Sequence, residues 1–136
     1  MCQKFLIVED RLLTAWSIEA AIMDLGFDVL GVAATSCHAM EFLGQADVAL
    51  VDLDLLDGST GSAVGRLLAA HGAQVVYMSA DTGTINVDFR GVLGYIVKPI
   101  ADADLLQVIA FAASVFDGVA TAPPDALNRS TSTKPL

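Results

Sequence analysis

The chain has 136 residues, a length typical of one domain, and 54% of them are hydrophobic, enough to fill one core. Its formal net charge is −9 and only 7 residues are basic, which disfavours a nucleic-acid partner because that contact depends on clustered lysine and arginine. The two cysteines, Cys2 and Cys37, make no disulfide framework and no metal-ligand spacing, so we expect reduced thiols. No secretory signal is visible, and the apolar stretch at residues 105–116 is too short for membrane insertion. These features predict a soluble, cytoplasmic protein.

Short apolar runs alternate with amphipathic stretches along the chain. Five strands are predicted at residues 5–8, 27–33, 48–52, 74–78 and 93–97, and helices at residues 11–25, 36–44, 60–71 and 101–116. Gly26 follows the first helix at the usual C-terminal position, and Ser36 is the expected N-cap of the second helix. Strands that alternate with helices indicate βαβ units, and therefore an α/β fold with a parallel sheet.

Two segments depart from this alternation. Between the fourth and fifth strands, Ile85, Val87 and Phe89 follow a two-residue period, so any fourth helix there should be short or irregular. From residue 119 the composition shifts to proline, serine, threonine and alanine. We therefore expect one folded domain at residues 1–118, followed by a flexible tail or truncated linker at residues 119–136.

Polar side chains stand where the predicted strands end. Right-handed crossovers place the carboxyl ends of parallel strands on one edge, where open α/β sheets hold their ligands. Each residue alone has an ordinary interpretation as a helix cap, a turn hydroxyl or a surface lysine. Their joint placement favours a functional site made of Glu9, Asp10, Asp52, Ser79 and Lys98.

These residue types suit phosphoryl chemistry. Carboxylates are hard oxygen ligands for Mg²⁺, and clustered carboxylates repel one another until a cation intervenes. A lysine such as Lys98 supplies a fixed positive charge for phosphoryl oxygens. The carboxylate of Asp52 can attack phosphorus, and the hydroxyl of Ser79 can hydrogen-bond a phosphoryl oxygen.

Over about residues 4–116, the chain resembles the receiver domain of two-component response regulators. The motifs that carry the resemblance are Ile-Val-Glu-Asp at residues 7–10, Val-Asp-Leu-Asp-Leu-Leu-Asp-Gly at 51–58, Met-Ser-Ala at 78–80, and Gly-Tyr-Ile-Val-Lys-Pro at 94–99. The resemblance implies a flavodoxin-like (βα)5 fold, with a five-stranded parallel sheet of order 2-1-3-4-5 flanked by five helices.

The resemblance also implies residue roles. Asp52 would be the phospho-acceptor, and Mg²⁺ would be held by Glu9, Asp10, Asp52 and the backbone carbonyl of Asp54. Lys98 would contact the phosphoryl group, Ser79 and Tyr95 would be the switch residues, and the Lys98–Pro99 peptide bond is a candidate for the cis form. Asp54 and Asp81, each two residues past Asp52 and Ser79, stand where the family tunes the lifetime of the phosphoryl group.

Further expectations concern partners. The phosphoryl donor would be a phosphohistidine on a sensor histidine kinase or a histidine phosphotransfer protein, and the output would be altered binding of a downstream protein target. The chain would be no enzyme beyond its own phosphorylation and slow dephosphorylation, and either a monomer or a phosphorylation-linked dimer. Nothing after the last predicted helix resembles an output domain, so we expect a stand-alone receiver or one excised from a longer protein.

Two other functions fit parts of the sequence. A receiver-like interaction module that works without phosphorylation is the first alternative. The second is a phosphatase of the haloacid-dehalogenase type, whose Asp-x-Asp motif Asp52 and Asp54 resemble. That motif normally ends the first strand, whereas Asp52 ends the third predicted strand.

Overall fold

The fold is a parallel sheet covered on both faces by helices. The computed structural model describes residues 3–55, 61–80, 85, 87–119 and 121–129. Within this part of the chain, five parallel strands lie in the order β2-β1-β3-β4-β5, which confirms the predicted flavodoxin-like topology. The strands are β1 (Lys4–Val8), β2 (Asp28–Ala33), β3 (Val48–Asp52), β4 (Gln74–Ser79) and β5 (Val92–Val97).

Four α-helices connect or follow the strands in the described residues: α1 (Leu12–Asp24), α2 (Ser36–Ala39), α3 (Gly61–Ala70) and α4 (Asp102–Phe116). A 3-10 turn, Met40–Phe42, extends α2. The apolar residues of α1 and α4 pack on one face of the sheet, and those of α2 and α3 pack on the other. None of the helices in the described ranges is long and apolar enough to cross a membrane.

Strand residues reach both cores because successive side chains point to opposite faces. In β1, Phe5 and Ile7 join the core under α1 and α4, whereas Leu6 and Val8 join the core under α3. A sheet buried on both faces explains why its strands are continuous apolar runs rather than alternating patterns.

The start of α2 differs from the prediction. Ser36 was the expected N-cap, but Thr35 occupies that position, so this prediction is wrong. Thr35 has extended backbone angles, and its Oγ1 accepts a hydrogen bond from the His38 N–H at 3.1 Å. Both residues have a hydroxyl that can cap a helix, so only the backbone path decides between them.

No helix forms in the described part of the segment between β4 and β5, at residues 85 and 87–91. Ile85 and Val87 are buried in the core under α3, as their two-residue spacing suggests. Asp81 lies outside the described residues, and so does the stretch at residues 56–58 of the family motif.

Past α4 the chain lies first beside that helix and then meets the outer edge of β5 at one residue. Residues 121–129 lie against the domain, where Asn128 forms an isolated antiparallel bridge with Tyr95. The flexibility predicted for residues 119–136 stays a prediction, and residues 130–136 lie outside the described part.

Candidate functional site

The carboxyl ends of four strands converge as the sequence predicts. Glu9 and Asp10 follow β1, Asp52 is the last residue of β3, Ser79 is the last residue of β4, and Lys98 follows β5. The pairing register places them at one level, because Val8 lies opposite Val51 and Ser79 lies opposite Val97. The parallel order of the sheet thus gathers residues that are up to 89 positions apart in sequence.

Lys98 joins two of the carboxylates. Its Nζ lies 3.1 Å from Glu9 Oε1 and 3.2 Å from Asp52 Oδ2. Glu9 and Asp52 are each only 1% exposed. Burial of two carboxylates is costly unless they are paired, and the shared ammonium offsets part of that cost.

Burial changes the pKa of Glu9. Loss of hydration raises the pKa of its carboxyl above the ordinary value, and the negative charge of Asp52 acts in the same direction. The Arg11 backbone N–H, which donates to Glu9 Oε2 at 3.1 Å, and the Lys98 ammonium oppose this shift without cancelling it. Glu9 therefore binds a proton more readily than an exposed glutamate.

Asp52 is held by the loop that follows it. Its Oδ1 accepts a hydrogen bond from the Asp54 backbone N–H at 3.0 Å, while its Oδ2 faces Lys98. The first residue of α3, Gly61, approaches so closely that a Cβ there would collide with the Asp52 carbonyl oxygen. Sequence reasoning missed Gly61, because a glycine at a helix start has many ordinary explanations.

Three carboxylates can act together on a cation. Ligand oxygens of Glu9, Asp10 and Asp52 all lie within 4.8 Å of one another. This set of hard oxygen donors fits Mg²⁺, which takes few protein carboxylates and keeps several waters. The role of the Asp54 carbonyl as a further ligand stays a prediction.

A cavity of about 400 Å³ opens beside Asp52 and Lys98. Its walls come from α1, from the ends of β3 and β4, and from the start of α4, including Arg11, Thr14 and Ile100. Sequence reasoning missed these wall residues, because only the packing of α1 and α4 on the same face brings them to the site.

The two predicted switch residues occupy different positions. Ser79 is buried at the end of β4, and its carbonyl oxygen accepts the Lys98 backbone N–H at 2.8 Å. Tyr95 is half-buried in β5, three residues before Lys98, and lies opposite Tyr77 of β4. The Lys98–Pro99 peptide bond between this strand and α4 is cis, as expected.

Comparisons with known proteins agree with this geometry, although no family model matches the chain. The phyllosphere-induced regulator PhyR of Methylorubrum extorquens is 32% identical over 114 residues, which make up 80% of this chain and 43% of that protein. The crystal structure of the response regulator PhyR from Brucella abortus is 26% identical, covers 87% of this chain and 50% of its own, and has a TM-score of 0.69. The N-terminal domain of a response regulator/sensory box/GGDEF three-domain protein from Carboxydothermus hydrogenoformans is 26% identical, with 85% and 98% coverage and a TM-score of 0.73.

The chain carries a response regulator receiver domain. The similarity extends over most of the described residues. The three carboxylates that helped to suggest the family lie together at one edge of the sheet. The chain spans less than half the length of the curated relative, so what that protein does as a whole does not transfer to this chain.

Proposed function

We propose that this receiver domain is a phosphorylation-dependent signalling switch, in which Asp52 accepts a phosphoryl group when Mg²⁺ is bound. The contact of Lys98 Nζ with Asp52 and Glu9, at 3.2 and 3.1 Å, is the observation that carries the proposal. A phosphoryl group on Asp52 would place negative oxygens next to this ammonium. A charge already fixed in position costs little reorganisation when the phosphoryl group arrives.

The transfer is a nucleophilic displacement at phosphorus. A carboxylate oxygen of Asp52 attacks the phosphorus of a phosphohistidine; the new P–O bond forms as the P–N bond breaks, and the imidazole leaves and takes up a proton from water. Bound Mg²⁺, held by Glu9, Asp10 and Asp52, would supply neutralising charge to the phosphoryl oxygens. The cavity beside Asp52 gives the donor group access to the carboxylate.

The donor would be a sensor histidine kinase or a histidine phosphotransfer protein. Exposed apolar side chains on α1 support docking of a protein partner beside the cavity: Leu12, Leu13 and Trp16 are all exposed, Leu13 by 77%. Such residues near a reaction site favour a protein–protein contact, because isolated domains otherwise keep few large apolar side chains together in water.

The response would involve Ser79 and Tyr95. The Ser79 hydroxyl would turn toward a phosphoryl oxygen, and the movement would pass to Tyr95 on the neighbouring strand and change the binding of a downstream protein. We place this switch in the cytoplasm, as a monomer or a phosphorylation-linked dimer, with no enzymatic activity on other substrates.

Intact mass after incubation with acetyl phosphate tests the proposal. The wild-type protein should gain the mass of one phosphoryl group only when Mg²⁺ is present, and Asp52→Asn should gain none. Asp117→Asn is the matched control, because it removes an exposed carboxylate away from the site. Asp54→Asn should still gain the group, because its backbone N–H contact with Asp52 survives the substitution.

The same variants separate the alternatives. A phosphatase of the haloacid-dehalogenase type would turn over a generic phosphomonoester and lose that turnover in Asp54→Asn, whereas a receiver should show no turnover in either protein. No mass gain with acetyl phosphate or with a phosphohistidine donor would contradict the switch and favour a phosphorylation-independent interaction module.

A further inference from the structure

Residues 121–129, which we call the strap, begin beside α4, where Thr121 lies against Ser114, and reach the outer edge of β5 at Asn128. In the described part of the chain, β5 is the last strand on its side of the sheet, so its outward backbone groups are open to pairing. Asn128 occupies this position: its backbone N–H donates to the Tyr95 carbonyl, and its carbonyl accepts from the Tyr95 N–H, both at 2.9 Å. The Asn128 side-chain amide adds a third bond to the Tyr95 carbonyl at 3.2 Å.

Side chains hold the strap as well. Leu127 is only 5% exposed and belongs to the core under α1 and α4. The Arg129 guanidinium lies 5.6 Å from the centre of the Phe111 ring, within cation–π range. Near the other end of the strap, the Thr121 hydroxyl lies 3.0 Å from the Ser114 hydroxyl on α4.

Gly94 makes the close approach possible. Its φ is +152°, a backbone conformation that side chains rarely adopt, and a Cβ there would collide with the Asn128 carbonyl oxygen. The residue beside the bridge therefore leaves room for a second backbone segment. This space supports a built contact rather than incidental proximity.

The strap and the phosphorylation site share one strand. Tyr95 carries the bridge, and Lys98, three residues later, contacts Asp52 and Glu9. A phosphoryl group on Asp52 would compete for the Lys98 ammonium, and any resulting shift of β5 moves the backbone to which the strap is bound. The strap meets β5 at a single bridge and most of its residues are exposed, so its opening would disrupt few buried contacts.

We propose that the strap is a displaceable cover that closes the β5 edge in the resting protein and is released when Asp52 is phosphorylated. This inference rests on the proposed function, since release requires a phosphoryl group at Asp52. It goes further by assigning a regulatory role to residues 121–129 and by making the backbone edge at Tyr95 the surface that the switch exposes.

Residue-resolved amide hydrogen exchange on the full chain tests the proposal, with beryllium fluoride and Mg²⁺ in place of the phosphoryl group. In the resting protein the Tyr95 amide should exchange about tenfold more slowly than in Asn128→Pro, which removes the strap's donor and distorts its backbone. Asn128→Ala is the matched control: it keeps the backbone N–H and should keep the protection. The amide of Ile96, which strand alternation directs toward β4, reports whether the sheet stays intact.

Addition of beryllium fluoride and Mg²⁺ should abolish the protection at Tyr95 in the wild type, leave Ile96 unchanged, and have no effect in Asp52→Asn. Because coupling between two sites is reciprocal, Asn128→Pro should also bind beryllium fluoride about fivefold more tightly. If Asn128→Pro loses protection throughout the sheet, Leu127→Ser, which removes the buried anchor, takes its place as the released variant.

The outcomes separate the two proposals. Beryllium fluoride bound at Asp52 with unchanged protection at Tyr95 would overturn release while leaving the proposed function intact. Equal exchange at Tyr95 in the resting wild type and in both released variants would show that the strap is not closed. If the protein neither binds beryllium fluoride nor gains a phosphoryl group from acetyl phosphate, the proposed function is contradicted, and so is release of the strap. Protection of the Tyr95 amide in the resting protein would still show whether the strap is closed.

Discussion

The chemistry of this receiver domain depends on a small group of buried charges. Glu9 and Asp52 are almost fully buried and share one lysine, while Asp10 adds a third, half-buried carboxylate. One ammonium cannot balance three carboxylates, so the group has an excess of negative charge. A bound divalent cation, as proposed for Mg²⁺, would restore the balance.

The raised pKa of Glu9 predicts a pH-dependent affinity for Mg²⁺. A proton on Glu9 competes with the cation, so affinity should fall as pH decreases through the raised pKa and recover as Glu9 ionises. In the metal-free protein, the raised pKa of Glu9 also makes the folding stability depend on pH. The stability contributed by protonated Glu9 is full below its unfolded-state pKa and is lost as pH rises through the folded-state pKa. Calorimetric Mg²⁺ titrations at a series of pH values from the ordinary glutamate pKa upward should show this dependence.

Glu9→Gln is the control for this prediction. It removes the titrating group, so its weaker Mg²⁺ binding should vary less with pH over the same range. If the variant keeps the full pH dependence of the wild type, the competing proton does not reside on Glu9.

At the scale of elements, α3 packs closely against the end of β3 and against β4. Two glycines let the helix approach the sheet: Gly61 lies against the Asp52 backbone, and Gly65 lies against the ring of Tyr77 on β4. The Tyr77 hydroxyl donates to the Ser62 carbonyl at 2.7 Å, which ties the first turn of α3 to β4. The position of α3 therefore bears on the geometry of Asp52, the proposed phospho-acceptor.

Gly65→Ala should destabilise the fold, although alanine favours helices. The new methyl group would collide with the Tyr77 ring, and overpacking of this kind costs about 1–3 kcal/mol, which outweighs the helix-propensity gain of about 1 kcal/mol. Urea denaturation measures the change in the free energy of unfolding.

The matched comparison is the same substitution in a Tyr77→Leu background, where the ring is absent. There Gly65→Ala should cost less or become stabilising, because the collision is gone. A stabilising effect of Gly65→Ala in the wild-type background would contradict close packing of α3 on β4.

At the scale of the whole molecule, the site joins segments that are distant in sequence. Glu9 and Asp10 follow β1, Asp52 ends β3 and Lys98 follows β5, so the cluster exists only when the sheet is assembled. A cation bound by residues of different strands favours the folded chain, because the unfolded chain offers no such arrangement.

Mg²⁺ should therefore raise the stability of the domain by mass action. At a free concentration of a hundred times the dissociation constant, the gain is about 2.7 kcal/mol. Denaturation with excess Mg²⁺ and with a chelator should show this difference in the wild type and in Asp117→Asn, which removes an exposed carboxylate beyond the site.

Asp10→Asn should behave differently from that control. It relieves repulsion among the three carboxylates, so the metal-free variant should be as stable as the wild type or more so, while most of the gain from Mg²⁺ disappears. An undiminished gain in Asp10→Asn would show that the cation binds elsewhere.

The sequence by itself determined the elements and the edge at which the site lies. Apolar runs located all five strands, including β3 at residues 48–52 without error, because parallel strands buried on both faces need continuous apolar residues. Glu9, Asp52, Ser79 and Lys98 could be assigned to one edge because parallel strands and right-handed crossovers leave no other arrangement.

Only the tertiary structure decided which groups touch. The N-cap of α2 is Thr35 rather than the predicted Ser36, because the backbone path, not the residue type, positions the hydroxyl. Lys98 reaches both Glu9 and Asp52, and Leu127 is buried in a segment whose composition suggests a tail. These differences have one physical reason. Periodicity and residue type are local properties of the sequence. The burial of a charge, or of a single leucine beside a strand edge, depends on surfaces that exist only after distant segments have packed together.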